Sequence, residues 1–154
     1  LDLVGRKLGQ RGGANLNAFI KDVRTTVAAS KALYEEQAAT LGAAADAVMQ
    51  TAMRFLGWFG AGKMEMVPLA ANRFLEMMAE TTVGWLLLEG AVIAAAQKDA
   101  LAEGHPDRAF YTGKEYAALY YARNVLPLVE EKSRRMQSED RSPVDIPDAA
   151  FATV

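Results

Sequence analysis

Apolar residues recur along this chain at helical rather than strand spacing. Leu16, Phe19, Ile20, Val23 and Val27 fall on one face of an amphipathic helix that begins near Asn15, a residue suited to capping a first turn. The pattern permits a break at Ser30-Lys31 without requiring one. A second stripe (Leu33, Leu41, Ala44, Val48, Met49, Ala52, Phe55, Leu56, Phe59) predicts a helix over 32–59, stopped at Gly60-Ala61-Gly62. A third helix starts near Pro68, a favoured first-turn residue, and runs to Glu103 before Gly104-His105-Pro106. That is about 36 residues, or roughly 54 Å at the helical rise. Its middle, 83–96, is apolar on nearly all sides, which predicts a central helix buried all round. Glu80, Glu89 and Gln97-Lys98-Asp99 interrupt that run, so no membrane span is expected. A fourth helix covers 108–137 with Pro127 inside it as a kink. Before these helices lies a short apolar stub, closed by a Gly9–Gly13 linker that carries three glycines. After them, the tail from Ser138 reads as extended chain with Phe151 pinned onto the bundle.

Composition supports the helical reading. There are 29 Ala against 3 Ile and 11 Val, and alanine favours helix while β-branched residues favour strand. The expected fold class is all-α: an antiparallel bundle of about four long helices, an N-terminal helical stub and an extended C-terminal tail. At 16.7 kDa a compact monomer should expose about 7,600 Å². The formal net charge of −2 gives a nucleic-acid footprint no support. The absence of cysteine excludes disulfide scaffolds and thiolate chemistry, and permits a reducing, cytoplasmic setting.

Several motifs invite chemistry. Gly57-Trp58-Phe59-Gly60-Ala61-Gly62-Lys63-Met64 approaches a phosphate-binding loop, but Met64 offers no hydroxyl to Mg²⁺ and the stretch follows a helix, so it reads as a helix end and turn. A di-metal bundle site needs two Glu-x-x-His pairs, and the single histidine, His105, sits in a turn two residues after Glu103. Among the acids, Glu89 is the best acid–base candidate because it lies in the apolar run, and Glu76 and Glu80 stand four apart. The competing reading is a buried carboxylate paired with Arg54, Arg73 or Arg123. Trp58, Trp85, Phe55, Phe59, Phe74, Tyr116 and Tyr120 read as core before they read as a ligand-stacking set. Seven methionines suit an adaptable packing surface or, if some face outward, a partner surface.

The order of these pieces resembles the C-terminal helical extension of long bacterial acyl-CoA dehydrogenases, the branch that includes 3-methylmercaptopropionyl-CoA dehydrogenase. Leu1-Asp2-Leu3-Val4-Gly5-Arg6-Lys7-Leu8 resembles the segment after that family's Tyr-Glu-Gly-Thr motif. Val83-Gly84-Trp85-Leu86-Leu87 resembles its Gly-Trp-Leu helix. Phe110-Tyr111, Lys114 and Tyr120 through Pro127 resemble its Phe-Tyr, Lys and Phe-Tyr-Ala-x-x-x-Leu-Pro pattern. The opening on Leu1 rather than Met then reads as a segment of a longer protein.

The resemblance implies a parent enzyme of fatty acid metabolism that uses FAD to oxidise the Cα–Cβ bond of an acyl-CoA. Its catalytic Glu, flavin site and acyl-CoA pocket would lie upstream. No residue of this chain inherits a catalytic, cofactor-binding or metal-binding role. Residues 1–13 would close the preceding catalytic domain, 14–138 form the bundle and 139–154 pack as a tail. The implied partners are the parent's catalytic domain, a homo-oligomer and, at the upstream site, acyl-CoA. The alternative is an independent helical module that binds a partner or a lipid.

Overall fold

A computed structural model describes residues 1–152. Among them, the chain forms a π-helical turn at Leu3–Lys7, a 3₁₀ turn at Gln10–Gly13, and six α-helices. These are α1 (Ala14–Ser30), α2 (Glu35–Gly60), α3 (Met66–Asp99), α4 (Asp107–Asn124), α5 (Pro127–Gln137) and the short α6 (Ser142–Asp145), followed by a 3₁₀ turn at Asp148–Phe151. No strand occurs among the described residues. The all-α bundle expected from the hydrophobic spacing is the fold.

α3, with 34 residues, is the axis. It is long and apolar enough to cross a membrane, yet it packs against α1, α2, α4 and α5 of its own chain. The core sits between α2 and α3, where Phe55 meets Trp58 edge-on at 5.1 Å and Phe74 at 5.2 Å between ring centroids. Buried alanines (Ala44, Ala45, Ala52, Ala70, Ala71) leave room for the two helices to close on these rings. Two polar contacts, one half-buried and one buried, fix the outer helices. Trp85 Nε1 donates to Thr26 Oγ1 of α1 at 2.9 Å, and the Thr51 and Ser133 hydroxyls join α2 to α5 at 2.9 Å.

Several boundaries move from their expected places, each for a local reason. The first helix begins at Ala14, because Gly12 and Gly13 adopt the left-handed φ that ends the preceding turn. The permitted break after Ser30 is real, and α2 begins at Glu35. The third helix stops at Asp99, where Arg108 reaches back to the carbonyls of Lys98 and Leu101. The fourth helix is two. Pro127 cannot donate a backbone hydrogen bond, so it opens α5, and the bend turns Leu126 into the core at 1% exposure.

Gly84 makes room for that leucine. A Cβ added there would lie 2.6 to 3.0 Å from the Leu126 side chain. Gly90, six residues on, has no such neighbour: nothing stands within 4 Å of a Cβ placed there.

Other expectations fail at the surface. Leu33 and Leu56 are exposed rather than core, as are Tyr116 and Tyr120. Phe151 is 68% exposed and does not pin the tail. The tail runs through one short helix and a 3₁₀ turn with extended backbone at Ile146 and Pro147 between them. At the other end, Val4 and Leu8 of the opening stub are buried against the bundle.

The largest departure concerns α3 itself. It is not buried all round: Leu75, Val83, Leu86 and Ile93 are each 42 to 57% exposed. The total accessible surface is 9231 Å², against the roughly 7,600 Å² of a compact monomer of this mass.

Candidate functional site

The acids named as candidates are placed in two different ways. Glu89 is exposed, because it sits on the outward side of α3, and it has no ion-pair partner among the described residues. It lacks the desolvated surroundings that acid–base chemistry requires. Glu80 and Glu76 converge on one cation, Lys132 of α5, with Glu76 at 3.1 Å and Glu80 closer still. The partner is therefore a lysine from the helix that Pro127 redirects, not one of the three arginines considered. Burial pulls the Lys132 ammonium down, but its hydrogen bonds to Glu80 and Glu76 outweigh this and hold it above its ordinary value of 10.5. The second oxygen of Glu80 is buried without a partner, so the lysine carries the whole task of balancing that carboxylate.

Lys132→Ala would leave Glu80 half-buried and uncompensated. We expect a loss of about 2 kcal/mol at neutral pH, the scale of a hydrogen bond to a charged group. Urea melts of Lys132→Ala against Glu80→Gln/Lys132→Met should show partial recovery in the double variant. A raised lysine stabilises the fold fully below its ordinary value, and that contribution disappears as pH climbs through the higher folded value. The deficit of Lys132→Ala should therefore persist across neutral pH and shrink only in strong alkali.

Two other clusters were not anticipated. Tyr34, next to α2, donates to Glu115 of α4 at 3.0 Å, and Lys98 of α3 closes on the other oxygen of the same carboxylate. Burial first, and then the bond to Glu115, push the Tyr34 phenol up to about 12. It stays protonated as a structural donor. The second cluster centres on Glu139, just past α5, which accepts from Trp58 Nε1 at 2.9 Å and pairs with Arg54 and Lys63, each at 2.6 Å. The Lys63 and Trp58 bonds hold its carboxyl below the ordinary 4.5. Their contribution is thus present above that pH and lost as pH falls further. Glu139 keeps a left-handed φ of 52° to reach these donors. Neither cluster announces itself in sequence, because the partners lie far apart along the chain.

The phosphate-loop lookalike is occupied by its own backbone. Gly62, at φ 71°, and Lys63 donate to the carbonyls of Phe59 and Trp58, a helix-ending pattern that uses up the amides a phosphate would need. Lys63 is committed to Glu139. The stretch is a helix end and turn, and its residues do not fit the diphosphate of FAD. His105 is exposed, and its Nδ1 accepts from the Asp107 amide at 3.2 Å. No group of three His, Asp or Glu side chains is arranged to hold a metal among the described residues. Arg123 pairs with Glu36 on the surface.

One open groove is apolar. Between α3 and α4 lies a groove of about 280 Å³, floored by Gly90 and Ala94 and walled by Leu86, Ile93, Phe110 and Tyr111. Lys114 closes one end, its ammonium 5.2 Å from the centre of the Phe110 ring. Phe110 is 60% exposed. The Phe-Tyr and Lys of the sequence pattern thus meet at one surface, a convergence that the i, i+4 spacing of Phe110 and Lys114 was able to signal. The groove offers shape and apolar area, with no general base and no nucleophile.

Known proteins align along nearly the whole chain. Residues 19–147 match the family described as acetyl-CoA dehydrogenase C-terminal like. A butyryl-CoA dehydrogenase from Syntrophomonas wolfei is 28% identical over 151 residues, which is 97% of this chain and 25% of that protein. A second butyryl-CoA dehydrogenase of the same organism is 29% identical over a similar span. The broad-specificity linear acyl-CoA dehydrogenase FadE5 of Mycobacterium tuberculosis is 36% identical over 85 residues, 55% of this chain and 14% of its own. The chain spans about a quarter of the length of the first of these relatives. With its bundle matched from α1 to the tail, the chain belongs to the acetyl-CoA dehydrogenase C-terminal-like family.

Proposed function

We propose that this chain is the non-catalytic assembly domain of an FAD-dependent acyl-CoA dehydrogenase that works in fatty acid metabolism in the cytoplasm. In this reading the parent oxidises the Cα–Cβ bond of an acyl-CoA with groups lying outside these residues. Residues 1–13 lead in from the catalytic domain, 14–138 form the bundle, 139–154 form the tail, and the whole takes part in a homo-oligomer. The observation that carries the reading is the combination of closed ion pairs with open apolar surface. Glu80, Glu115 and Glu139 are each tied to a lysine, while Leu75, Val83, Leu86, Ile93 and Phe110 stay exposed. Such a surface suits packing rather than chemistry.

Removing this segment from the longer parent tests the reading. The truncated parent should melt at lower temperature and lose oligomeric order in light scattering. Acyl-CoA oxidation per folded, flavin-loaded molecule should stay within about tenfold, or 1.4 kcal/mol of barrier. A thousandfold slower oxidation in folded, flavin-loaded enzyme would place a residue of this chain in the active site and overturn the reading.

A further inference from the structure

We propose that the outer face of α3 is a two-fold seam between two copies of this chain. The proposal rests on the reading of the chain as an assembly domain and names the surface and its occupant.

The seam is a stripe of six residues: Leu75, Ala79, Val83, Leu86, Gly90 and Ile93. Five of them are exposed, Gly90 is half-buried at the edge of the groove beside α4, and none carries a charge. They recur at spacings of four, four, three, four and three, which keeps them on one helix face that can turn to a partner helix. The stripe is also nearly palindromic about residue 84. Leu75 and Ile93 stand nine residues to either side, Ala79 and Gly90 five and six, Val83 and Leu86 one and two. Two α3 helices laid antiparallel across a two-fold axis would set Leu75 against Ile93 of the second copy, and Ala79 against Gly90 of the second copy. An isologous interface requires this kind of self-complementarity, and a surface shaped for an unrelated partner does not.

Gly90 supplies an independent reason. A glycine within a helix costs about 1 kcal/mol relative to alanine. Gly84 has an explanation inside the chain, since Leu126 fills its space. Gly90 has none, because its Cβ position is open. Opposite Ala79 of a second copy, it becomes the small residue that lets two helix axes approach to about 8 Å.

Area and charge agree. From Leu75 to Ile93 the stripe runs roughly 27 Å at the helical rise. α1 and α4 both pack against α3, and at the usual interaxial distance of about 8–10 Å three such helices would present a face roughly 25 Å wide. The resulting footprint of about 650 Å² approaches the roughly 800 Å² that each partner of a standard interface buries. Phe110, exposed at the α4 margin, enlarges it. Glu89 sits at the other margin. In the antiparallel arrangement the two copies of Glu89 stand about 15 Å apart along the axis, beyond the screening length at physiological salt, and do not oppose association.

The test uses the 154-residue chain in sedimentation equilibrium. At about 100 µM, above the micromolar Kd of a weak standard-size interface, the mass should be twice 16.7 kDa. Leu86→Glu and Ile93→Glu, both at exposed positions, should keep helical circular dichroism and weaken the dimer at least about a hundredfold. The chain has no cysteine of its own, so register can be read by cross-linking. Leu75→Cys and Ile93→Cys chains, mixed and mildly oxidised, should join to each other, while neither joins to itself.

A wild-type monomer at that concentration overturns the seam. So does a dimer that survives Leu86→Glu, or a Leu75→Cys chain that cross-links to itself. A monomer would leave the stripe to the parent's catalytic domain or to an apolar ligand. The assembly-domain reading would still stand or fall on truncation of the parent, so the two failures are distinguishable.

Discussion

Phe55→Ala is expected to remove about 3–5 kcal/mol of stability, enough to leave the bundle partly unfolded at physiological temperature. Phe55 has no solvent exposure and stands between Trp58 and Phe74, edge to face with both. Its loss opens a cavity where α2 meets α3, and both neighbouring rings lose a partner. The surrounding buried alanines are too short to collapse into the gap. Chemical denaturation followed by tryptophan fluorescence checks this, because Trp58 lies at the wall of the cavity. A midpoint close to wild type would mean that the two long helices are held mainly elsewhere, through α4 and α5.

Gly84→Leu should cost about 1–3 kcal/mol, the usual penalty for overpacking a filled core. Even the first carbon of the new side chain would sit 2.6 Å from a methyl of Leu126. Leu126 is 1% exposed and fixed by the bend at Pro127, so it cannot swing into solvent. The matched control is Gly90→Leu, six residues along the same helix, where the Cβ meets open space. Thermal melts followed by tryptophan fluorescence well below micromolar concentration, where a dimer of micromolar Kd is dissociated, should show the first variant clearly below wild type and the second at or above it. Equal melting of the two would show that α5 can shift to admit the leucine.

Much of this architecture is legible in sequence because helical spacing and glycine punctuation are local signals. The α1 stripe from Leu16 to Val27, the stop at Gly60-Ala61-Gly62 and the start of α3 beside Pro68 all depend on residues close together in the chain. Where the reading fails, the cause is distant. The run at 83–96 is apolar enough to be buried on every side, but burial is decided by which helices arrive, and none covers Leu86 and Ile93. Tyr116 and Tyr120 obey core spacing for the same reason and remain outside. The partner of Glu80 was sought among arginines, yet a proline 47 residues away decides it, by turning Lys132 toward α3. The open groove was half visible: Phe110, Tyr111 and Lys114 stand out as a pattern, but Gly90 and Ile93 come from another helix.

The anchoring of Glu139 has a consequence for how the molecule breathes. One carboxylate ties the second residue beyond α5 to three side chains in and just after the last turns of α2. Loss of the tail and fraying of the α2 C-terminus are then a single opening event, because neither can proceed far while the other holds. Amide protons at the end of α2 inherit a protection that their own exposed helix end would not give them. Beyond Asp145 no hydrogen bond reaches back to the bundle among the described residues. The cooperative unit therefore ends within α6, and the last residues lie outside it.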